Sequence, residues 1–137
     1  MLLDSLSDEH WALLQQAAEQ FASDQFWVCH ETLESIWLTA PQPHKTFYQG
    51  IIQVAAGCHH LLGGNRKGTL SLLRQGIEKL QAVQPLGYFQ GWINLDPFLD
   101  QVMALRVLVE DPVMDDPSAF ERLGKTFPRP TLTVFGA

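Results

Sequence analysis

Residues 45–62 read KTFYQGIIQVAAGCHHLL, and their apolar side chains surround almost the whole circumference of a helix. A helix that is apolar nearly all round lies inside a protein, so this segment predicts a central helix surrounded by others. The apolar tract within it, residues 51–62, is shorter than the roughly 20 residues needed to cross a bilayer. Gln53, His59 and His60 also interrupt that tract. We therefore expect a core helix and no membrane partner.

Outward from this segment, apolar periodicity and capping residues predict further helices on both sides. The predicted caps are Ser5 or Ser7 for the first helix, Asp24 for the second, Asn65 for the fourth and Asp96 for the fifth. Proline pairs and glycines separate these segments and end them. The predicted helices span residues 8–22, 25–38, 45–62, 66–82 and 97–109, with a short helical segment within 115–123. The fold class is thus all-α, a single-domain bundle of five to six helices.

Two segments lack helical periodicity. The aromatic loop, residues 84–94, contains Tyr88, Phe89 and Trp92, and we interpret it as an ordered loop. Residues 1–127 form the predicted bundle domain, and residues 128–137 form an extended tail that packs on this domain or on a neighbour. Trp92 and Phe135 look exposed. A homo-oligomer could form through the loop or through the tail residues Leu132, Val134 and Phe135.

Composition narrows the class of protein. A chain of 137 residues with 46% hydrophobic side chains is long enough for one core without a disulfide or metal. Its formal net charge is −6 and its nine basic residues are scattered, so we expect no nucleic-acid partner. Cys29 and Cys58 lie in apolar helical runs, which is typical of reduced thiols, and the N-terminus lacks the pattern of a signal peptide. We therefore expect a cytoplasmic protein.

The second helix contains the sequence FWVCHETLESIW at residues 26–37, which places charged groups among apolar ones. On a helix, His30 and Glu34 share a stripe with Phe26, Leu33 and Trp37. The central helix carries a second polar stripe, formed by Gln49, Gln53 and His60. If the two helices pack antiparallel, these stripes should face each other, with His60 within reach only if the helices are staggered. The predicted site comprises His30, Glu31, Glu34, Gln49 and Gln53.

Three blocks carry a resemblance to a known family: His30-Glu31-x-x-Glu34-x-x-Trp37, then Gln49-Gly50-Ile51-Ile52-Gln53, then His60-x-x-x-Gly64-Asn65-x-x-Gly68. Together, over residues 21–80, they resemble the helical family known as domain of unknown function 309, or DUF309. The resemblance implies a small bundle around one central helix and no established activity. Ile51 stands where leucine is usual in the family, and Thr69 stands where alanine is common.

The predicted site has three interpretations. In the first, the carboxylates, His30 and the two glutamines form a buried polar network that fixes how the helices pair, and Glu34→Gln changes stability by about 1–3 kcal/mol. In the second, His30, Glu31, Glu34 and His60 bind a divalent metal. In the third, Glu34 and His30 act as an acid–base pair in a small hydrolase-type enzyme. Trp11, Trp27 and Trp37 are interpreted as packing residues, and Trp37 could also line a pocket beside Glu34.

The favoured hypothesis is a binding or interaction module that uses the loop, the tail or a central pocket, with an unknown small-molecule ligand. Whether the protein is an enzyme is left open. Cys29 follows Val28 and precedes His30 in sequence but points about 100° away from His30 on the helix, so a cysteine nucleophile has little support.

Overall fold

The structure is a computed structural model that describes residues 7–136, and this range forms six α-helices and no strand. The predicted all-α fold is therefore confirmed. Residues 1–6 and 137, which include the alternative cap Ser5, lie outside the described residues. No helix in the described part of the chain is long and apolar enough to cross a membrane. The helices are α1 (Asp8–Ala22), α2 (Phe26–Trp37), α3 (His44–Leu62), α4 (Arg66–Val83), α5 (Leu95–Glu110) and α6 (Pro117–Thr126).

The central position of α3 is confirmed. This helix packs against both α2 and α4, while α1 packs on α2 and α5 packs on α4. Phe47, Ile51 and Val54 have no solvent exposure. Burying side chains of this size stabilises a fold by about 1.5–3 kcal/mol each. The apolar side chains around α3 are thus explained by burial among the other helices, as its sequence predicted.

Glycines allow α3 and α4 to approach closely. A Cβ atom added at Gly76 of α4 would lie 2.9 Å from the Gly50 carbonyl oxygen of α3. Added at Gly50 it would lie 2.7 Å from Leu80, and added at Gly57 it would lie 3.0 Å from Leu73. The backbones therefore meet where side chains would otherwise hold them apart.

Two predicted caps are confirmed and two are wrong. Ser7 accepts a hydrogen bond from the His10 amide, and Asn65 accepts one from the Gly68 amide after Gly64 at φ +79°. Asp24 does not cap α2, because it adopts φ +61° in the preceding turn and its carboxylate binds Arg129 at 2.8 Å. Asp96 lies inside α5 instead of capping it, and accepts from the side chains of two glutamines of the aromatic loop, Gln84 and Gln90.

The aromatic loop belongs to the core, which corrects the prediction that Trp92 is exposed. Phe89 is fully buried and stacks on Phe47 of α3, with ring centroids 4.2 Å apart, and Trp92 is 3% exposed. Of the loop residues predicted to form an oligomer surface, these two are thus covered within the chain. Tyr88 is half-buried and lies beside them.

The tail packs on this domain. Val134 forms an antiparallel bridge with Ile93, and the Phe135 amide donates to the Trp92 carbonyl at 2.9 Å. Leu132 is buried and Val134 is half-buried, whereas Phe135 is 58% exposed. Of the predicted interface residues in the tail, only Phe135 presents most of its side chain to solvent. Preceding the tail, α6 is longer than predicted, and Asp116 caps it by accepting from the Ser118 amide.

Candidate functional site

The pair at the centre of the predicted site lies at the edge of the helix bundle. His30 Nε2 and Glu34 Oε2 are 3.9 Å apart, and their side chains are 17% and 46% exposed. Glu31 faces solvent. The prediction that His30 and Glu34 are enclosed between two helices is therefore wrong for Glu34. The stripe of α2 that carries His30, Leu33 and Glu34 is wide. Its edge at Leu33 is buried in the core, whereas its edge at Glu34 reaches solvent.

His30 packs against an indole that the sequence assigned to the core. The Trp27 and His30 rings are stacked with centroids 4.5 Å apart and planes within 13°, as their spacing of three residues allows on one helix face. The Trp27 ring also contacts the His59 ring of α3, with centroids 5.2 Å apart. Because Trp27 is 46% exposed, however, its interpretation as a packing residue holds only in part. Trp37 and Trp11 are half-buried.

The polar stripe of α3 exists but does not face α2 alone. Gly50 and Gly57 of α3 point to α4, whereas His59 points to Trp27 of α2. On a helical wheel, Gln49, Gln53 and His60 lie between these two directions. The stripe therefore lies on the part of α3 between its contacts with α2 and its contacts with α4.

We call the surface formed by this stripe and the neighbouring side chains of α2 and α4 the α2–α4 groove. The residues assigned to it come from α2 (Trp27, His30, Glu34, Trp37), α3 (Gln49, Gln53, His59, His60) and α4 (Gln75, Lys79). In its middle, the buried Gln53 donates from Nε2 to Gln75 Oε1 at 3.2 Å, and Gln75 donates to Ser71 Oγ at 2.9 Å. The Gln53 Oε1 atom is buried without a hydrogen-bond partner. Gln53 was predicted to face His30, and its hydrogen bond runs to α4 instead.

A pocket lies where the end of α2, the start of α3 and the second half of α4 meet, and we call it the Trp37 pocket. It has a volume of about 290 Å³, which is near the lower limit for small-molecule sites. Gln49 of the predicted site and Trp37, which the sequence allowed as the wall of a pocket, both line it. Its lining residues are Trp37, Gln42, Lys45, Thr46, Gln49 and Lys79.

Sequence reasoning missed the lysines of this pocket. Lys45 lies one helical turn before Gln49, which places both on one face of α3. That spacing could have identified Lys45. Lys79 could not have been found in this way, because it depends on the contact between α3 and α4.

The metal-ligand candidates are not brought together into one cluster. Among residues 7–136, no group of three or more histidine, cysteine, aspartate or glutamate side chains is placed to hold a metal ion. His60 Nδ1 lies 3.4 Å from Asn65 Nδ2, at the turn into α4. His30 and Glu34 form a pair on α2.

Both cysteines are buried and free. Burial raises the pKa of the Cys29 thiol from 9.0 to about 12 and raises the pKa of Cys58 as well. Because the thiolate is the reactive form, neither side chain is activated at neutral pH. The geometry agrees with the expectation that Cys29 is not a nucleophile.

Comparison with known proteins bears on the segment that forms this groove. Residues 14–72 match the model of the family described as Domain of unknown function (DUF309). The predicted resemblance is thereby confirmed over α1, α2, α3 and the start of α4. The DUF309 segment contains Trp37, Lys45 and Gln49, whereas Lys79 lies beyond it.

A curated relative is also uncharacterized. Uncharacterized protein YpuF of Bacillus subtilis (strain 168) is 32% identical to the chain over 85 residues. The aligned region covers 58% of this chain and 49% of YpuF. The chain therefore spans about half the length of the curated relative that it matches. No solved structure matches the chain.

Proposed function

We propose that this protein is a binding module and that the α2–α4 groove is its recognition site. The observation that carries the proposal is the position of the sequence blocks resembling DUF309. Residues from all of them, represented by Trp37, Gln49 and His60, lie on α2 and α3 along one groove. Their common location supports a shared role better than three separate packing roles would.

The Trp37 pocket is the part of the groove that fits a small ligand. It combines an indole wall with ammonium, hydroxyl and amide groups, and ligand sites typically pair apolar walls with a few polar groups. The aromatic loop and most of the tail are used for internal packing, which favours the groove over them as the recognition surface. Two buried free cysteines support a cytoplasmic location.

The test is a screen of small fragments by NMR on the full chain, with backbone amide shifts used to map each hit. The library contains equal numbers of anionic, neutral and cationic fragments. We expect hits that shift amides around Trp37 and Gln49, and we expect Gln49→Ala to weaken them. Gln16→Ala, on the exposed face of α1, is the matched control. Hits confined to other surfaces, or no hit, would overturn the proposal.

A second candidate function rests on the His30–Glu34 pair. Their 3.9 Å separation, with His30 largely buried and Glu34 half-exposed, places an acid–base pair next to solvent. This supports a hydrolase-type activity more than a metal site, since of the other two metal candidates His60 lies at Asn65 and Glu31 faces solvent. Turnover of generic ester substrates by the native chain, lost in Glu34→Gln without loss of folding, is the result expected of an enzyme. Turnover that persists in this variant would show that the His30–Glu34 pair is not catalytic.

A further inference from the structure

We infer that the Trp37 pocket binds the anionic group, a carboxylate or phosphate, of a small organic molecule. The inference rests on the proposed binding function and adds the chemical class of the ligand. The first observation is the charge of the pocket lining. Among residues 7–136, those that line the pocket include Lys45 and Lys79 and no carboxylate, although the protein as a whole carries a formal charge of −6. A local cationic site on an acidic protein attracts anions and repels cations.

Lys45 is held in place before any ligand arrives. Its Nζ donates to the Trp37 carbonyl at 3.2 Å and to the Leu38 carbonyl at 3.4 Å, and it lies 4.3 Å from the centroid of the Trp37 ring. These partners are neutral, and within the described residues Lys45 forms no salt bridge. A fixed ammonium group loses little conformational freedom on binding a ligand, which favours affinity.

Lys79 supplies the second positive charge from the opposite wall. Its side chain is one-third exposed, and the carboxylate recorded near it, that of Glu78, is at the 4.0 Å limit of an ion pair and almost fully exposed. Such a pair contributes little, because water screens it. Lys79 is therefore available to an incoming anion.

An amide adds a neutral donor. The Gln42 side-chain oxygen accepts from the Thr46 amide at 3.2 Å and from the Thr46 hydroxyl at 2.7 Å. Because a backbone N–H can only donate, this bond fixes the orientation of the Gln42 amide. The NH₂ group of Gln42 is thus the half left for a ligand. Two ammonium groups and an amide NH₂ form a donor set suited to the oxygens of a carboxylate or phosphate.

The experiment uses four ligands that share one ring and differ in the attached group: benzoate, phenyl phosphate, benzamide and benzylamine. Each is titrated into the full chain, and dissociation constants are obtained from amide shifts. We expect benzoate or phenyl phosphate to bind the pocket at least about tenfold more tightly than benzamide, with benzylamine weakest and added salt weakening the anions. The stronger of the two anions identifies the preferred group.

The variant arm removes one charge. Lys79→Gln should weaken binding of the anion about fivefold, as expected for one charge at about 4 Å in water. Lys67→Gln, an exposed lysine of the same helix, is the matched control and should have no effect. Thermal melts check that both variants fold.

The outcomes separate the two proposals. Equal affinity for benzoate, phenyl phosphate and benzamide, or an unchanged affinity in Lys79→Gln, would overturn the assignment of an anion. In that case, shifts of the pocket amides by benzamide or benzylamine would leave the binding function intact. If none of the four ligands and no library fragment shifts amides in the groove, both proposals fail.

Discussion

The two sides of α3 differ in how they meet α4. On one side Gly50 and Gly57 bring the backbones together, against Leu80 and Leu73 of α4. On the other side lie the amides of Gln49 and Gln53, and the buried Gln53 reaches Gln75 by a side-chain hydrogen bond. One helix therefore has a side packed through glycines and a side that carries polar side chains. The comparison predicts that the packed side contributes more to stability than the polar stripe does.

The largest effect is expected on the packed side. Gly76→Val places a branched side chain against the Gly50 carbonyl oxygen, a backbone atom that cannot rotate away, and should lower the free energy of unfolding by about 3 kcal/mol. Urea denaturation measures this. Gly91→Val is the control, because a Cβ there meets nothing within 4 Å, and it should cost less than about 0.5 kcal/mol. Equal losses would show that close approach of α3 and α4 is not what stabilises this side.

A smaller effect is expected in the middle of the groove. Gln75→Leu removes the acceptor of the Gln53 amide and leaves a buried donor unpaired, so it should cost about 1–2 kcal/mol. Gln53→Leu removes both the donor and the unpaired buried oxygen, so it should change stability by less than about 1 kcal/mol. Denaturation of both single variants and the double variant tests this asymmetry. A larger loss in Gln53→Leu than in Gln75→Leu would contradict it.

Glu34→Gln should have little effect on stability. The side chain is 46% exposed and its partner His30 is four residues away on the same helix, so the pair contributes about 0.3–0.5 kcal/mol. The expected loss is therefore smaller than the 1–3 kcal/mol, roughly, that Glu34→Gln would cause in a buried network. Glu31→Gln, at an exposed neighbour, serves as the reference in the same denaturation series. A loss above about 1 kcal/mol relative to that reference would support the interpretation as a buried network instead.

The smallest expected effect is on how stability depends on pH, and it involves an ion pair between α4 and α5. Glu110 of α5 accepts from Arg74 of α4 at 2.6 Å, and this hydrogen bond holds the pKa of its carboxyl below the ordinary 4.5. A carboxyl whose pKa is lowered by folding stabilises the native state above its unfolded pKa. That contribution is lost as the pH falls below 4.5 through the folded pKa. Glu110→Gln should therefore show a slightly shallower loss of stability in acid. Thermal melts between pH 3 and pH 7 measure this, and an unchanged slope would contradict it.

Much of the fold could be predicted because its causes are local. Apolar periodicity identified α1, α3 and α4 to within a residue at each end, and Ser7 and Asn65 cap helices as their side chains allow. The aromatic loop was harder, since Phe89 and Trp92 have no period of their own. They become core residues only through rings distant in sequence, such as Phe47.

The site was predicted in composition but not in arrangement. A wheel shows that Gln49 and Gln53 share a face of α3, yet it does not show which neighbour that face meets. Pairing α2 with α3 alone placed Glu34 in the interior. The real stripe borders α4 as well, because glycines bring α4 close to α3. Tertiary contacts of this kind cannot be obtained from the periodicity of single helices.

The docking of the tail gives this protein an optical reporter of its own. Trp92 is shielded from water, its ring lies 5.3 Å from that of Trp11, and its carbonyl accepts from Phe135. Trp27, by contrast, is half in water. Gly136 of the tail lies against the Trp11 ring. Release of the tail would therefore hydrate the indoles at that end and leave Trp27 unchanged, so the emission wavelength of the intrinsic fluorescence can follow that motion without a label.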